Sequence, residues 1–199
     1  MMNLRERLYG EPMMKLLADQ IAQADELHKQ YFAQSNGKWS QTEVIMTAQG
    51  VKASDIPSVL AQVLGGTQDE NARREMCLKI GFPMHPEHYA VPVPMSVVET
   101  MGGLPTLTYI AKDDNPPAFV LAEKDEQYAF AFTGKGTLAD GTPHSYVLQQ
   151  FKDTADGLQA SLRIWYPAAC PPEYLAEHAE HYTVESRNLF RMIAKQKEQ

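Results

Sequence analysis

Histidine and glutamate side chains recur along the last predicted helix of the chain, which starts at Pro171-Pro172 and contains no later glycine or proline. In that helix His181 lies three residues after His178 and four residues before Glu185. Because residues four apart lie one above the other on a helix, His181 and Glu185 can reach the same point in space. An imidazole and a carboxylate that converge in this way suit a divalent metal such as Zn²⁺. The alternative is that these residues merely solvate the outer face of a terminal helix, as runs of charge usually do.

A second group of candidate ligands is the sequence His-Pro-Glu-His at residues 85–88. Proline breaks helical geometry, so this segment is predicted to be a turn. Two imidazoles in a turn need not face the same way. His85 and His88 are therefore candidates for a metal site only if other residues bring them together.

Three further polar residues lie in or beside predicted strands. Glu99 belongs to an apolar run, where an inward carboxylate is costly unless it is paired or bound to metal. Strand alternation also allows an outward Glu99, and Glu123 is a weaker candidate of the same kind. His144 begins a strand after a group of turn residues. Its imidazole is either a solvent-facing turn residue or a catalytic base at the rim of a cavity.

Helices are predicted in the N-terminal third of the chain. Apolar spacing predicts a first helix over residues 12–34, ended by Ser35-Asn36-Gly37, with His28 at its surface or edge. Alternation over residues 39–51 predicts a strand. Two helices follow, one from about Ser54 to Gly65-Gly66 and one over residues 69–80.

From residue 91 onward the pattern changes to short β-like runs separated by turn residues. Asp156-Gly157 between two alternating runs is typical of a hairpin. A helix that carries one buried stripe then closes the chain. The predicted strands cover residues 93–101, 106–112, 118–123, 127–133, 145–153 and 158–166, and the stripe consists of Leu175, Ala179, Tyr182, Ser186, Leu189 and Ile193.

This order of elements predicts an α+β fold in which a curved antiparallel sheet wraps around the long C-terminal helix. It resembles the helix-grip fold of the START and Bet v 1 superfamily, whose sheet and helix enclose a deep ligand cavity. The predicted organisation is an N-terminal helical extension over residues 1–38, which packs on the domain or pairs with a second copy in a homodimer. The helix-grip domain then covers residues 39–199.

Composition excludes several classes of function. The 199 residues are 44% hydrophobic and carry a formal net charge of −7, which argues against a nucleic-acid partner. No cluster of lysine and arginine suggests a membrane surface, and no apolar run is long enough to span one. The first ten residues lack the apolar core of a secretory signal, and Cys77 and Cys170 are predicted to be free thiols. A cytoplasmic protein is therefore expected. Nucleotide-binding glycine motifs and the Gly-x-Ser-x-Gly motif of serine hydrolases do not occur.

Several short stretches, taken in order, resemble the diacetylphloroglucinol hydrolase family, which includes phloretin hydrolases. The likeness extends from about residue 78 to residue 193, and its last stretch contains the His-x-x-x-Glu pair described above. The stretches are residues 85–88 (His-Pro-Glu-His), 98–103 (Val-Glu-Thr-Met-Gly-Gly), 147–158 (Val-Leu-Gln-Gln-Phe-Lys-Asp-Thr-Ala-Asp-Gly-Leu), 163–165 (Arg-Ile-Trp) and 181–185 (His-Tyr-Thr-Val-Glu).

The resemblance implies a zinc-dependent hydrolase that cleaves the C–C bond between an acyl group and a phenolic or β-dicarbonyl-like moiety. Members hold one zinc ion through two histidines and two glutamates, and the matching residues of this sequence are His85, Glu99, His181 and Glu185. The ring carbon that leaves must take a proton, and His144 or His88 is the expected catalytic donor. A metal-free helix-grip carrier of a small hydrophobic or aromatic ligand is the alternative. A third possibility is an interaction protein with incidental histidines.

Overall fold

The computed structural model describes residues 2–59 and 67–197 as seven strands and six labelled helices joined by turns. A 3₁₀ turn at Ala53–Asp55 follows the first strand, and a π-helical turn at Cys77–Gly81 joins the third and fourth helices. The helices are α1 (Met2–Arg7), α2 (Glu11–Gln34), α3 (Glu70–Met76), α4 (Phe82–Met84), α5 (Ala118–Leu121) and α6 (Pro172–Lys197). The strands are β1 (Trp39–Gln49), β2 (His88–Ala90), β3 (Ser96–Met101), β4 (Leu104–Lys112), β5 (Phe130–Thr137), β6 (Pro143–Asp153) and β7 (Gly157–Pro167).

The seven strands form one antiparallel sheet in the order β1-β7-β6-β5-β4-β3-β2. The chain builds this sheet as a meander from β2 to β7, and β1 then pairs with β7 at the far edge. The predicted Asp156-Gly157 hairpin is present, since Asp153 of β6 pairs with Leu158 of β7. The predicted helix-grip arrangement, a curved antiparallel sheet around a long C-terminal helix, is confirmed.

The C-terminal helix α6 packs its buried side into the sheet. Tyr182, Ser186, Leu189 and Ile193 of the predicted stripe are buried. Nearer the start of the helix the buried positions are Tyr174, His178 and His181 rather than Leu175 and Ala179. The expectation that the histidines of this helix only solvate an outer face is therefore wrong, because the helix turns them toward the sheet.

Four elements differ from the sequence prediction, and two of them, α1 and α4, are short helices that it did not include. The segment predicted as a strand over residues 118–123 is the short helix α5, and its only fully buried apolar side chain is Val120. Pro117 in an extended conformation directly before the helix explains this, since proline favours the start of a helical turn. The three-residue strand β2, which the sequence pattern did not indicate, pairs with β3 at the opposite edge from β1.

The structure covers the two helices predicted after β1 only in part. The helix predicted from Ser54 is present as a 3₁₀ turn followed by helical residues 56–59, while its continuation to Gly65-Gly66 lies outside the described residues. The helix predicted over residues 69–80 is confirmed as α3 and the π-helical turn after it. Asp69 caps α3 by accepting a hydrogen bond from the Ala72 amide at 2.7 Å.

The N-terminal helix α2 packs against β4 and β6. Its residues Met13 and Ile21 share a buried cluster with Ala90 and Val98 of the sheet. His28, predicted to lie at the surface or helix edge, is 0% exposed, so that prediction is wrong. In the part of the chain that the structure describes, no helix has the length and hydropathy needed to cross a bilayer. Cys77 and Cys170 are free thiols, as predicted.

Gly102 lies in the turn between β3 and β4, which packs against the start of α6. We expect the substitution Gly102→Ala to destabilise the fold by about 3 kcal/mol. Gly102 has φ +57°, and a Cβ at this position would collide with the Tyr174 ring. That ring is held between Tyr31 and Tyr166, each with its centroid 5.8 Å away, so it has little room to move. Chemical denaturation measures the effect. Gly103→Ala is the matched control, because Gly103 also has positive φ, but no atom of the described residues lies within 4 Å of its added Cβ. The control substitution should lower the free energy of unfolding by only about 1 kcal/mol. Equal losses of stability in the two variants would show that the Tyr174 ring does not cause the effect.

Candidate metal centre

The turn that follows α4 aligns two imidazoles. The His85 amide donates a hydrogen bond to the Gly81 carbonyl at 2.8 Å, and the His88 amide donates to the His85 carbonyl at 3.1 Å. The rings of His85 and His88 stack with centroids 4.3 Å apart and planes 6° apart. The turn therefore presents both side chains in one direction, a question that the sequence left open.

Glu99 faces the interior from β3. The carboxylate is 7% exposed, and Glu99 pairs across the sheet with His88 of β2. Its Oε2 lies 3.4 Å from His88 Nε2 and 3.5 Å from His181 Nε2. Residues two positions away on the strand, Val97 and Met101, line the same cavity, as period-2 alternation requires. Glu99 thus occupies the inward position that the sequence allowed as one of two alternatives.

His181 lies at the centre of the cluster. Its Nδ1 is 2.7 Å from Glu87 Oε2, and its Nε2 is 3.0 Å from Glu185 Oε2. A carboxylate that accepts a hydrogen bond from one ring nitrogen of a histidine fixes the ring and leaves the other nitrogen to face a metal. Glu87 occupies that outer position here. His181, Glu185 and the segment that contains Glu87 were all candidate ligands from the sequence, but the contact between Glu87 and His181 could not be predicted from it.

His85 directs a ring nitrogen at a carboxylate of α6. Its Nδ1 lies 3.1 Å from Glu185 Oε2. One ligand atom each from His85, His88 and His181 lies within 4.8 Å of the other two. Imidazole and carboxylate groups at this spacing are the donor set of a zinc site, so the residues present fit such an ion. His88, predicted as catalytic, is close enough to be a further ligand.

The charges of the cluster are strongly coupled. Burial opposes the charged form of His181, but the Glu99 charge and hydrogen bonds to Glu185 and Glu87 outweigh it and raise the pKa of His181 to about 10. Burial alone would raise the pKa of Glu99, yet the charge of His181 and the bond to His88 hold it well below its usual range. Burial and the neighbouring His85 lower the pKa of His88 to about 4. Without a metal, the cluster therefore carries a proton on His181 between ionised carboxylates.

The cluster opens into a cavity of about 200 Å³ between the sheet and α6. Its wall is mostly apolar, with Met, Phe, Val, Ile and Leu side chains that include Met84, Met95, Val97, Ile110, Phe132, Val147, Phe151, Leu162 and Leu189. His178 also lines this cavity, and its Nδ1 forms a hydrogen bond of 2.9 Å with the Tyr166 hydroxyl, whose pKa is raised by burial. The helical spacing of His178 from His181 was visible in the sequence, but its hydroxyl partner was not.

The other two polar candidates from the sequence, Glu123 and His144, lie outside the histidine and glutamate cluster. Glu123 lies 3.5 Å from Arg163 in a separate cleft that also includes Glu43, and it does not line the cavity. His144 is 0% exposed, so the alternative of a solvent-facing turn residue is wrong. Gly136 pairs with Ser145 and Thr137 with Pro143, which leaves His144 in a β-bulge that turns its ring toward α2.

Comparison with known proteins gives distant structural likenesses only. The chain is similar to ginseng major latex-like protein 151 from Panax ginseng, with 9% identity and a TM-score of 0.44 over 78% of this chain and 98% of that chain. Ara h 8.0201 gives 10% identity and a TM-score of 0.43 over 80% and 97%. An uncharacterized protein from Rhizobium leguminosarum gives 10% identity and a TM-score of 0.37 over the same shares. No family model and no curated protein matches the chain. At this similarity nothing follows about ligand or activity, and the helix-grip assignment rests on the architecture itself.

Proposed function

We propose that this chain binds one zinc ion through His85, Glu99, His181 and Glu185 and hydrolyses a C–C bond between an acyl group and a phenolic or β-dicarbonyl-like moiety. This activity is the one implied by the sequence resemblance to the diacetylphloroglucinol hydrolase family. The proposed substrate is a small acylated phenol that fits the apolar cavity.

The convergence of four ligands from separate parts of the chain is the observation that carries the proposal. The turn after α4, strand β3 and helix α6 each supply part of the set, and the facing ring nitrogens and carboxylate oxygens lie 3.0–3.5 Å apart. Carboxylates held this far inside the protein are costly unless they are paired or bound to metal. An incidental surface cluster of histidines would not require this burial.

The proposed reaction adds water across one C–C bond. The oxygen of water bonds to the acyl carbon, the bond from that carbon to the ring breaks, and the ring carbon takes a proton, so that a carboxylic acid and a free phenol result. Bound zinc supplies a Lewis acid for the acyl carbonyl and lowers the pKa of a coordinated water to about 7.

The residues of the chain divide the remaining tasks. Glu87 holds the His181 ring in place through Nδ1. His88 is the predicted catalytic residue at the cluster, where its Nε2 lies 3.4 Å from Glu99 Oε2. We propose that His88 positions the proton that the ring carbon takes, because its imidazole lies beside the proposed ligands and lines the cavity. His144, the second predicted catalytic residue, is fully buried beside His28 of α2 and is not among the described residues that line the cavity.

Zinc content and hydrolysis together test the proposal. Purified protein should contain one equivalent of zinc and release free acid from acylphloroglucinols such as diacetylphloroglucinol or phloretin. Glu99→Gln should lower zinc affinity by about a hundredfold and abolish hydrolysis, since the variant loses an anionic ligand at an inward position. Glu123→Gln makes the same change in charge outside the cavity and should leave both properties unchanged. Equal zinc affinity in the two variants would exclude Glu99 as a ligand.

A metal-free carrier is the second candidate, and the apolar cavity favours it. Such a protein would bind a small hydrophobic or aromatic molecule with equal affinity in the presence and absence of a chelator. It would contain no stoichiometric zinc and release no acid. The same preparations therefore separate the two functions.

A further inference from the structure

One tyrosine hydroxyl on the wall of the main cavity lacks a hydrogen-bond partner. Tyr182 of α6 is 3% exposed and lines the cavity between the sheet and this helix. Its hydroxyl oxygen is buried and forms no hydrogen bond of normal geometry with the residues that the structure describes. An unpaired buried polar group costs stability, so its retention at a cavity wall indicates that a ligand group completes the bond.

A glutamine amide faces the same cavity from the sheet. Gln149 of β6 pairs with Phe132 of β5 and with Leu162 of β7, and all three residues line the cavity. Because directly paired residues project from the same face of a sheet, Gln149 is directed inward. Burial raises the pKa of the Tyr182 hydroxyl, whereas the Gln149 side chain lowers it, so the two groups are close neighbours. The sequence analysis gave neither residue a role in ligand binding.

Tyr182 also lies beside the proposed metal cluster. It follows His181 directly and precedes Glu185 by three residues, which is less than one turn of α6. Its ring packs edge-on against His178, with the centroids 4.5 Å apart and the planes 81° apart. This contact fixes the ring and, with it, the direction of the hydroxyl. A ligand that is bound at the cluster and extends into the cavity therefore has the Tyr182 hydroxyl within reach.

A hydroxyl group is the ligand group that matches this pair. The O–H of tyrosine donates a hydrogen bond, and the carbonyl oxygen of a glutamine amide accepts one. A ligand hydroxyl can accept from Tyr182 and donate to Gln149 at once, whereas a methyl group leaves both unpaired. Among the described residues, Thr108 also has an unpaired hydroxyl on the cavity wall, but its partner across the sheet is the apolar Val97.

We propose that Tyr182 and Gln149 bind one hydroxyl group of an aromatic ligand in the cavity, with Tyr182 as the donor and Gln149 as the acceptor. The apolar walls hold the ring, and the pair orients that ring relative to the metal cluster. Tyr182 is then a residue that determines specificity. The inference deepens the proposed function and rests on it only for the phenolic nature of the ligand.

Two probes of similar shape test the proposal. Full-length protein, with and without zinc, is titrated with 2-naphthol and with 2-methylnaphthalene, which carries a methyl group in place of the hydroxyl. Tyr182→Phe should weaken the binding of 2-naphthol by about tenfold, the effect of one buried hydrogen bond, and change the affinity for 2-methylnaphthalene by less than about twofold. The variant should keep or exceed the Tm of the wild-type protein, because the ligand-free protein loses only an unpaired hydroxyl.

Tyr166→Phe is the matched control, since it makes the same change at another buried tyrosine. The Tyr166 hydroxyl forms a hydrogen bond of 2.9 Å with His178, and Tyr166 is not among the described residues that line this cavity. The control should lower Tm and leave the ratio of the two affinities unchanged. An unchanged ratio in Tyr182→Phe, equal losses of 2-naphthol affinity in both variants, or no binding of 2-naphthol to wild-type protein would overturn the proposal. An effect of Tyr182→Phe that requires zinc would place the hydroxyl on the metal and would also overturn it.

Zinc content and acyl hydrolysis of the same samples report the proposed function separately. A tenfold loss in Tyr182→Phe, measured with protein that binds no zinc and releases no acid, would refute the hydrolase and leave the subsite standing. An active zinc hydrolase in which Tyr182→Phe binds both probes as the wild-type protein does would refute the subsite alone.

Discussion

Replacing His181 with alanine is expected to abolish stoichiometric zinc binding, with a loss of affinity of about a thousandfold or more. The Nε2 of His181 lies 3.0 Å from Glu185 and 3.5 Å from Glu99, so one atom faces both carboxylates of the proposed site. Without this imidazole, His85 and two carboxylates remain, and no residue of α6 takes its place one turn before Glu185. Hydrolysis of acylphloroglucinols should be lost with the metal.

The same substitution should also destabilise the metal-free protein, by about 3 kcal/mol. Glu99 is buried and the Glu185 side chain is 17% exposed, and the protonated His181 compensates the charge of both in the absence of a metal. An alanine leaves both carboxylates without their nearest cation. Acid pH should relieve this penalty, since protonation neutralises the carboxylates.

Elemental analysis measures the loss of zinc, and thermal unfolding with and without zinc measures the loss of stability. Neither measurement requires a known substrate. His178→Ala is the matched control, because it removes a buried imidazole one turn earlier on the same helix and leaves the four proposed ligands in place. The control should retain one equivalent of zinc and a zinc-dependent rise in Tm. If His181→Ala shows the same rise as wild-type protein, His181 is not a ligand and the proposed site is wrong.

Much of the fold was predictable because its strongest patterns are local. Alternation predicted β1, β6 and β7 to within a few residues, and helical spacing predicted α6 with most of its buried stripe. The failure at residues 118–123 has a physical cause, since a run of only five apolar residues fits a single turn of helix as well as a short strand. A three-residue strand such as β2 is too short for alternation to be detected.

The candidate site was predictable only where its geometry is local. Residues four apart on a helix must converge, so His181 and Glu185 could be paired from spacing alone. Glu99 could not be oriented, because β3 has apolar residues on both faces and Val97 and Val98 are both buried. His85 and Glu87 lie in the turn after α4, and whether they approach His181 depends on how that turn packs against α6. Glu87 and His181 are 94 residues apart in the sequence.

The contact between the rings of His28 and His144 could not be predicted from local spacing either. Spacing on α2 placed His28 at a boundary between apolar and polar positions, and the sequence contains no indication of what covers that boundary. The bulge that turns His144 toward α2 depends on the register between β5 and β6. A shift of one residue in that register would reverse the direction of the side chains, and residue composition does not determine it.

Zinc affinity should rise with pH by about tenfold per unit between pH 6 and pH 8. In the metal-free protein the pKa of His181 is raised to about 10, so its imidazole carries a proton throughout this range. A histidine must be neutral to bind zinc, and each bound ion therefore displaces one proton. The carboxylates add no further dependence, because the pKa values of Glu99 and Glu185 lie well below their usual range. Competition with a chelator at several pH values measures the slope, and calorimetry in buffers of different ionisation enthalpy counts the proton.

The stability of the metal-free protein should change in the opposite direction over the same range. Because the pKa of His181 is raised on folding from 6.5 to about 10, its contribution is complete below pH 6.5 and is lost as pH rises toward 10. The lowered pKa values of the two carboxylates give a contribution that is complete above about pH 4.5 and is lost in acid. The stabilisation conferred by zinc should thus be largest where the metal-free protein is weakest, on the alkaline side. An affinity that stops rising above pH 6.5 would mean that His181 has an ordinary pKa and is not held between the two carboxylates.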